Sequence, residues 1–274
     1  MIIPFVFIIF FVSSLSHSAF SAGMARPIGM GGAFIAVSDD VNGIYENPAG
    51  FCFGKGQELG LYYSGLSEGA AGGIGYRYTF GDSAALGVAV LRNIFSSFYY
   101  DYQDRYAYIA YSQKIFSNFS LGMNVKGEQI RIDTPASMEA VGYTADIGLL
   151  YKLNSSLSLG LVLQNALKTT FSFNNGQEYD IDRAIEAGVA WRPMGENLLL
   201  AFDLTRVPGS FIYNFGVEGK VTEPLVLRGG VSGATSELAK RSFFVGLGFY
   251  MTKDLVIDLA VGANSTTGSF SWLF

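Results

Sequence analysis

Histidine and cysteine are almost missing from this sequence, which has one of each, His17 and Cys52. A lone cysteine excludes an intramolecular disulfide framework, and Cys52 reads as a small buried apolar residue. Basic runs are missing too, and with a formal net charge of -5 this argues against a nucleic-acid surface. Long apolar runs are absent beyond the first residues, MIIPFVFIIFFVSSLSHSAFS. That run is nearer half of the roughly 20 apolar residues a spanning helix needs. It reads as a secretory signal over residues 1–21, with an apolar core from Ile2 to Val12 and cleavage candidates at Ser16-His17-Ser18 and Ala19-Phe20-Ser21. His17 would leave with it. General-base hydrolysis most often uses histidine, so no catalytic set, and no enzyme, is expected.

What remains is apolar, aromatic and glycine-rich. Hydrophobic residues make up 50% of the chain and charged ones 15%, with 34 glycines and 16 tyrosines, a balance that suits strands facing lipid. From about Gln57 onward the hydropathy period is two. Leu157, Leu159, Leu161 and Leu163 alternate with Ser158, Gly160, Val162 and Gln164, and Phe243, Val245, Leu247, Phe249 and Met251 alternate with Ser242, Phe244, Gly246, Gly248 and Tyr250. Leu198, Leu200, Phe202 and Leu204, and Leu255, Ile257, Leu259 and Val261, repeat the pattern.

Short turns divide these runs at residues 81–83, 116–118, 154–156, 194–196, 222–224 and 252–254, alternating with longer connections at 93–103, 132–141 and 168–180. This regularity predicts an all-β fold, a transmembrane antiparallel β-barrel of about 14 strands over residues 57–274, with the short turns periplasmic. A soluble β-sandwich would show Lys and Glu on its second face. Here that face is mostly Gly, Ser and Ala, as in a confined interior.

Taking the greasy positions as outward, the lumen receives Arg77, Asp146, Glu186, Arg192, Asp203, Glu218, Arg228 and Asp258. Glu218 and Arg228 are equidistant from one turn and become cross-strand partners; Glu186 and Asp203 become candidates to face each other across another. Such charges are expected to fill the interior as an ionic network. The aromatic run over residues 98–108 is expected to form the outer-leaflet girdle, or a ligand platform.

The stretch GMGGAFIAVSDDVNGIYENPAGF, residues 29–51, invites three readings. A dinucleotide loop fails for want of a preceding strand and a third glycine, and no P-loop lysine follows. A calcium loop beginning at Asp40 fails because Ile44 and Tyr45 stand where a ligand and the turn glycine belong. No metal site and no cofactor are expected. The third reading is a short helix capped by Ser38 or Asp39 and stopped at Pro48, preceded by glycines that let the backbone pass close to a wall.

On these residues the segment resembles the N-terminal segment of FadL-like and PorV-like outer-membrane proteins, in which a GMGGA-like run, an acidic pair and an Asn-Pro-Ala-Gly precede the first strand. The resemblance implies a hatch or plug over residues 22–56 inside the barrel, carried by Gly29, Gly31, Gly32, Asp39, Asp40, Asn47, Pro48 and Ala49. It also implies an outer-membrane location in a Gram-negative-type bacterium and transport of hydrophobic or amphipathic small molecules, or alternatively a PorV-like role with secretion-system proteins. Outer-membrane lipid is the expected surround. The final alternating residues, ending in Trp272-Leu273-Phe274, resemble the strand by which the barrel-assembly machinery recognises its clients.

Overall fold

A computed structural model describes residues 23–97, 100–133, 137–167, 169–236, 241–262 and 264–274. The expected signal over residues 1–21 lies outside the described residues.

The period-two runs fold as strands because alternate side chains stand on opposite faces, and a closed sheet sends every apolar one outward. The strands are β1 (Gln57–Leu66), β2 (Gly69–Phe80), β3 (Ala84–Ser96), β4 (Asp101–Phe116), β5 (Phe119–Asp133), β6 (Met138–Lys152), β7 (Leu157–Gln164), β8 (Thr170–Ser172), β9 (Glu178–Asp180), β10 (Ala184–Trp191), β11 (Leu198–Val207), β12 (Ser210–Thr222), β13 (Leu225–Ala234), β14 (Ser242–Thr252), β15 (Leu255–Val261) and β16 (Ser265–Leu273). Fourteen of them form one closed antiparallel barrel in sequence order, and β8 and β9 make a separate hairpin between β7 and β10. β1 closes on β16, where Gln57 and Phe274 exchange backbone hydrogen bonds of 2.9 and 3.0 Å. Among the described residues every strand of the barrel is paired on both sides, which is what a strand-built membrane protein requires.

Leu61, Val90, Ile109, Val125, Ile147, Phe202 and Leu259 are exposed on the outer face, while Ser64, Ser112, Asn124, Asp203 and Thr267 on the inner face are buried. An exposed apolar exterior around a buried polar interior inverts the soluble pattern and marks a membrane barrel. At the turn end the outer face carries an aromatic belt: Tyr78 meets Phe80 with ring centroids at 4.6 Å, Phe116 and Tyr151 flank Phe119, and Trp272 lies 4.9 Å from Phe274. Amphipathic rings favour this level, where lipid meets water.

The loop end departs from expectation. Residues 93–96, 101–103, 132–133 and 138–141, read as loop, are strand, so β3 to β6 rise above their neighbours. Their outward side chains there are mixed, Ile94 and Val141 standing among Ser96, Asp101, Gln103, Asp133 and Glu139, and Arg92 to Gln103, Arg105 to Gln129 and Arg131 to Glu139 bond across strands. Polar outward residues hide the greasy alternation that identifies a strand, because this part of the wall stands clear of lipid. The aromatic run is corrected too: Tyr102 and Tyr108 are buried and Tyr106 is half-buried, all three on the inner face, while Arg105 and Ala107 point out. It is lumen lining; Phe98 and Tyr99 lie outside the described residues.

Candidate functional site

The barrel is filled from its N-terminal end. A five-residue helix, α1 (Ala25–Gly29), a turn at residues 30–38 and two single 3-10 turns, Val41–Ile44 and Phe51–Phe53, lie inside the wall, and Ala25, Met30, Phe34, Val41, Ile44 and Phe51 are fully buried. Only Pro27 punctuates α1, within its first turn, where its missing N–H costs nothing. This helix was not legible in the sequence. The helix expected after Ser38 is one 3-10 turn, and its cap is Asp40, whose carboxylate accepts from Asn42 N at 2.9 Å. Ser38 instead sits at φ +31 in a tight turn, its Oγ donating to Phe34 O at 2.8 Å, and its carbonyl packs where a Cβ on Gly43 or Gly50 would stand.

The two halves of the motif seat against different walls. At Gly29 an added Cβ would lie 3.0 Å from Gly246 Cα; at Gly31, with φ +65, it would lie 2.7 Å from Val231 N. Gly32 faces Asn214 on β12. Across the lumen, Asn47 Nδ2 donates to Ile35 O at 2.8 Å and to Leu149 O at 3.1 Å, and Asn47 Oδ1 accepts from Ala49 N at 3.0 Å. Ala49 O accepts from Ser112 Oγ at 3.0 Å and Ser120 Oγ at 2.6 Å, and Pro48 O stands where a Cβ on Gly122 would be, 2.0 Å away. The wall answers with glycines of its own at Gly122, Gly148, Gly160, Gly188, Gly216 and Gly230, where an added Cβ would strike the inner segment. Backbone-to-backbone approach of this kind leaves room for no side chain.

Asn47 is fully buried, so Asn47→Ala removes three hydrogen bonds at once, a cost of roughly 2–4 kcal/mol. Hydrogen exchange of residues 33–51 is expected to accelerate while the strand amides keep their protection; unchanged exchange over that stretch would count against the anchoring.

Charges tie the same segment to the wall. Arg26 donates to Asp39 and Asp40, each at 2.7 Å, and to Glu218 at 2.9 and 3.0 Å; Arg228 bonds Glu218 at 2.7 Å and Asp258 at 2.6 Å; Arg192 reaches Asp39 at 3.4 Å. Burial opposes the charge on Asp39, but the Arg26 and Arg192 guanidiniums outweigh it and hold the carboxyl below its ordinary range. Arg77 pairs with Glu58 at 2.9 Å, and Glu58 also accepts from Val41 N at 3.0 Å.

All eight charges assigned to the lumen lie on the inner face. Glu218 and Arg228 are direct cross-strand partners. Glu186 and Asp203 are not: Glu186 pairs with Thr205 and Asp203 with Gly188. The connection ends in the 3-10 turn Gly195–Asn197, which moves the hairpin's centre one residue on and shifts the pairing by two. Asp203 accepts instead from Phe34 N at 2.6 Å and Ile35 N at 2.9 Å. Glu58, Asp104, Lys126 and Glu128 were missed, although each follows the same alternation; Lys126 bonds Asp146 at 3.0 Å.

At the turn end a cavity of about 560 Å³ lies between the inner segment and the rim, lined by Arg26, Asp39, Arg192, Glu218, Lys220 and Tyr250 among others. At the other end Tyr102, Ile130, Ile132, Met138, Ala140 and Phe171 form an apolar cluster, with Phe171 of the β8–β9 hairpin fully buried over Gly142.

These features define a class: a fourteen-stranded transmembrane barrel whose lumen is occupied by its own N-terminal segment. No family model and no curated protein matches the sequence. Solved structures do match. The monoaromatic hydrocarbon channel CymD superimposes with a TM-score of 0.77 at 15% identity, covering 93% of this chain and 99% of that one. The Pseudomonas putida toluene transporter TodX gives 0.76 at 15%, covering 92% and 99%, and a Pseudomonas aeruginosa FadL homologue gives 0.66 at 13%, covering 91% and 97%. The chain therefore has the FadL-type barrel fold.

Proposed function

We propose that this protein is an outer-membrane channel for hydrophobic or amphipathic small molecules, and that residues 22–56 are the plug gating the barrel of residues 57–274. One observation carries the reading: the N-terminal segment crosses the lumen and is pinned to opposite walls by side-chain bonds and glycine contacts, with no strand of its own among the described residues. Such bonds can be exchanged without opening the wall, as a gate requires. The fold shared with a toluene transporter and a hydrocarbon channel supports the substrate class. Export by a cleaved signal over residues 1–21, residence in the outer membrane of a Gram-negative-type bacterium and recognition of the Phe274 strand by the barrel-assembly machinery belong to the same proposal.

The direct test removes residues 29–51 and measures ion conductance and toluene uptake in proteoliposomes. Conductance is expected to rise sharply, with uptake no longer selective among small solutes. No change in either would overturn the gating role, and a protein partner copurifying in mild detergent in place of a small-molecule ligand would favour the PorV-like scaffold.

A further inference from the structure

Above the inner segment the lumen carries a layer that neither the plug network nor an apolar conduit explains. Strand register places Tyr62, Gly73, Leu91, Tyr106 and Glu128 on one rung running from β1 to β5, and Ser64, Ala71, Asn93, Asp104 and Ile130 on the next rung towards the loop end. Tyr106 Oη lies 2.9 Å from Glu128 Oε1 and 3.4 Å from Asp104 Oδ2, so it lies between the two carboxylates. Asp104 is 6% exposed, and its Oδ1 has no hydrogen-bond partner. Tyr62 is 7% exposed, and its hydroxyl has none either. The Tyr62 ring leans across β2, its Cε1 2.6 Å from where a Gly73 Cβ would stand, which carries the hydroxyl along the rung towards β4 and its carboxylate.

Among the described residues no basic side chain forms an ion pair with either carboxylate. Lys126, one rung below Glu128, is committed to Asp146, with both carboxylate oxygens within 3.1 Å. A buried carboxylate and a half-buried one on either side of a tyrosine hydroxyl call for a cation or for protons. The surroundings are aromatic on both sides: Tyr45, Tyr106 and Tyr108 belong to the packing around the inner segment below, and Tyr102, Ile130 and Phe171 to the apolar cluster above.

We propose that Asp104, Glu128 and Tyr62 bind the protonated amine head of an amphipathic molecule whose apolar part rests against the Tyr102, Ile130 and Phe171 cluster. The inference rests on the channel reading and names a substrate class for it, organic amines carrying an aromatic or similarly bulky apolar group. An ammonium group supplies the missing positive charge and up to three donors, and Tyr62 Oη and Asp104 Oδ1 break no protein bond to receive it. Aromatic rings around it add the attraction of a cation for a ring face.

The test uses the full barrel in detergent and isothermal titration with 2-phenylethylamine, with 2-phenylethanol as the neutral probe. Asp104→Asn combined with Glu128→Gln is expected to weaken amine binding roughly tenfold or more, the scale of losing a buried charge-assisted bond, and to leave the alcohol unchanged. Tyr62→Phe is expected to weaken the amine less, again with the alcohol unchanged. Should the double variant fail to fold, judged by heat-modifiable mobility on gels, Glu128→Gln and Tyr62→Phe alone carry the test. Absence of amine binding in the native protein, amine affinity equal in native and variant, or an equal loss for both probes overturns the proposal. Toluene uptake in proteoliposomes reads the channel separately: its failure alongside selective amine binding sinks the conduit and leaves the site standing.

Discussion

Replacing Arg26 by methionine is expected to detach the inner segment from the wall while leaving the barrel closed, and to raise the conductance of the reconstituted protein. Arg26 joins three carboxylates, Asp39, Asp40 and Glu218, and its guanidinium also lies 5.2 Å from the centre of the Phe34 ring. Methionine fills much of the volume but strands those carboxylates near one another. Removing one partner of a buried ion pair costs roughly 3–5 kcal/mol, and the lower end applies here because Asp39 is 34% exposed. About 3 kcal/mol is roughly a hundredfold in the detached population. The strand ladders do not involve Arg26, and Arg228 keeps Asp258, so urea unfolding of the barrel is expected to be little changed. Native conductance in the variant would sink the idea that this network holds the gate. Acid is expected to act in the same direction. Because the native Asp39 carboxyl lies below its ordinary range, its contribution is complete above the unfolded value of about 4 and is lost as pH falls through the lowered one. Conductance of the native protein is therefore expected to rise only at pH values below that range.

The barrel was legible in the sequence because lipid imposes one rule on every strand. Leu157 to Leu163 and Phe243 to Met251 point outward by simple alternation, and the same alternation delivers Arg77, Asp203 and Asp258 to the lumen. Where lipid ends the rule lapses. Residues 101–103 and 138–141 read as loop because Gln103 and Glu139 sit in outward positions that a membrane would make apolar. Inside the lumen the motif showed that residues 29–51 approach a wall, but not which strands they meet. The partners of Asn47 and Ala49, namely Leu149, Ser112 and Ser120, are long-range contacts with no local signal. Helix α1 escaped notice because five residues offer no hydrophobic period, and the Glu186 and Asp203 pairing slipped because a 3-10 turn moves a hairpin's centre without altering its composition. The Asp104 and Glu128 layer was hidden in a run of tyrosines that composition assigns equally well to a membrane interface.

Gly122→Val is expected to expel the other half of the motif. A Cβ at this position would lie 2.0 Å from Pro48 O and 2.4 Å from Ala49 N, backbone atoms that no rotamer change can move. Overpacking costs about 1–3 kcal/mol where side chains can adjust; here the inner segment itself must withdraw, losing the Ser112 and Ser120 bonds to Ala49 O. The wall is spared, since valine suits a strand and Gly122 pairs with Ser112 and Gly148 through backbone alone. Limited proteolysis is expected to cut within residues 29–51 in the variant and not in the native barrel, with conductance rising as for Arg26→Met. Gly219→Ala is the matched control, because an added Cβ there meets nothing within 4 Å. Arg26 and Gly122 hold opposite ends of one segment, so combining the two substitutions separates two kinds of gate. If residues 29–51 leave as a unit, either change alone frees them and the double variant gains much less than the sum of the two. If the halves move independently, the effects add, and the gate is two latches on separate walls.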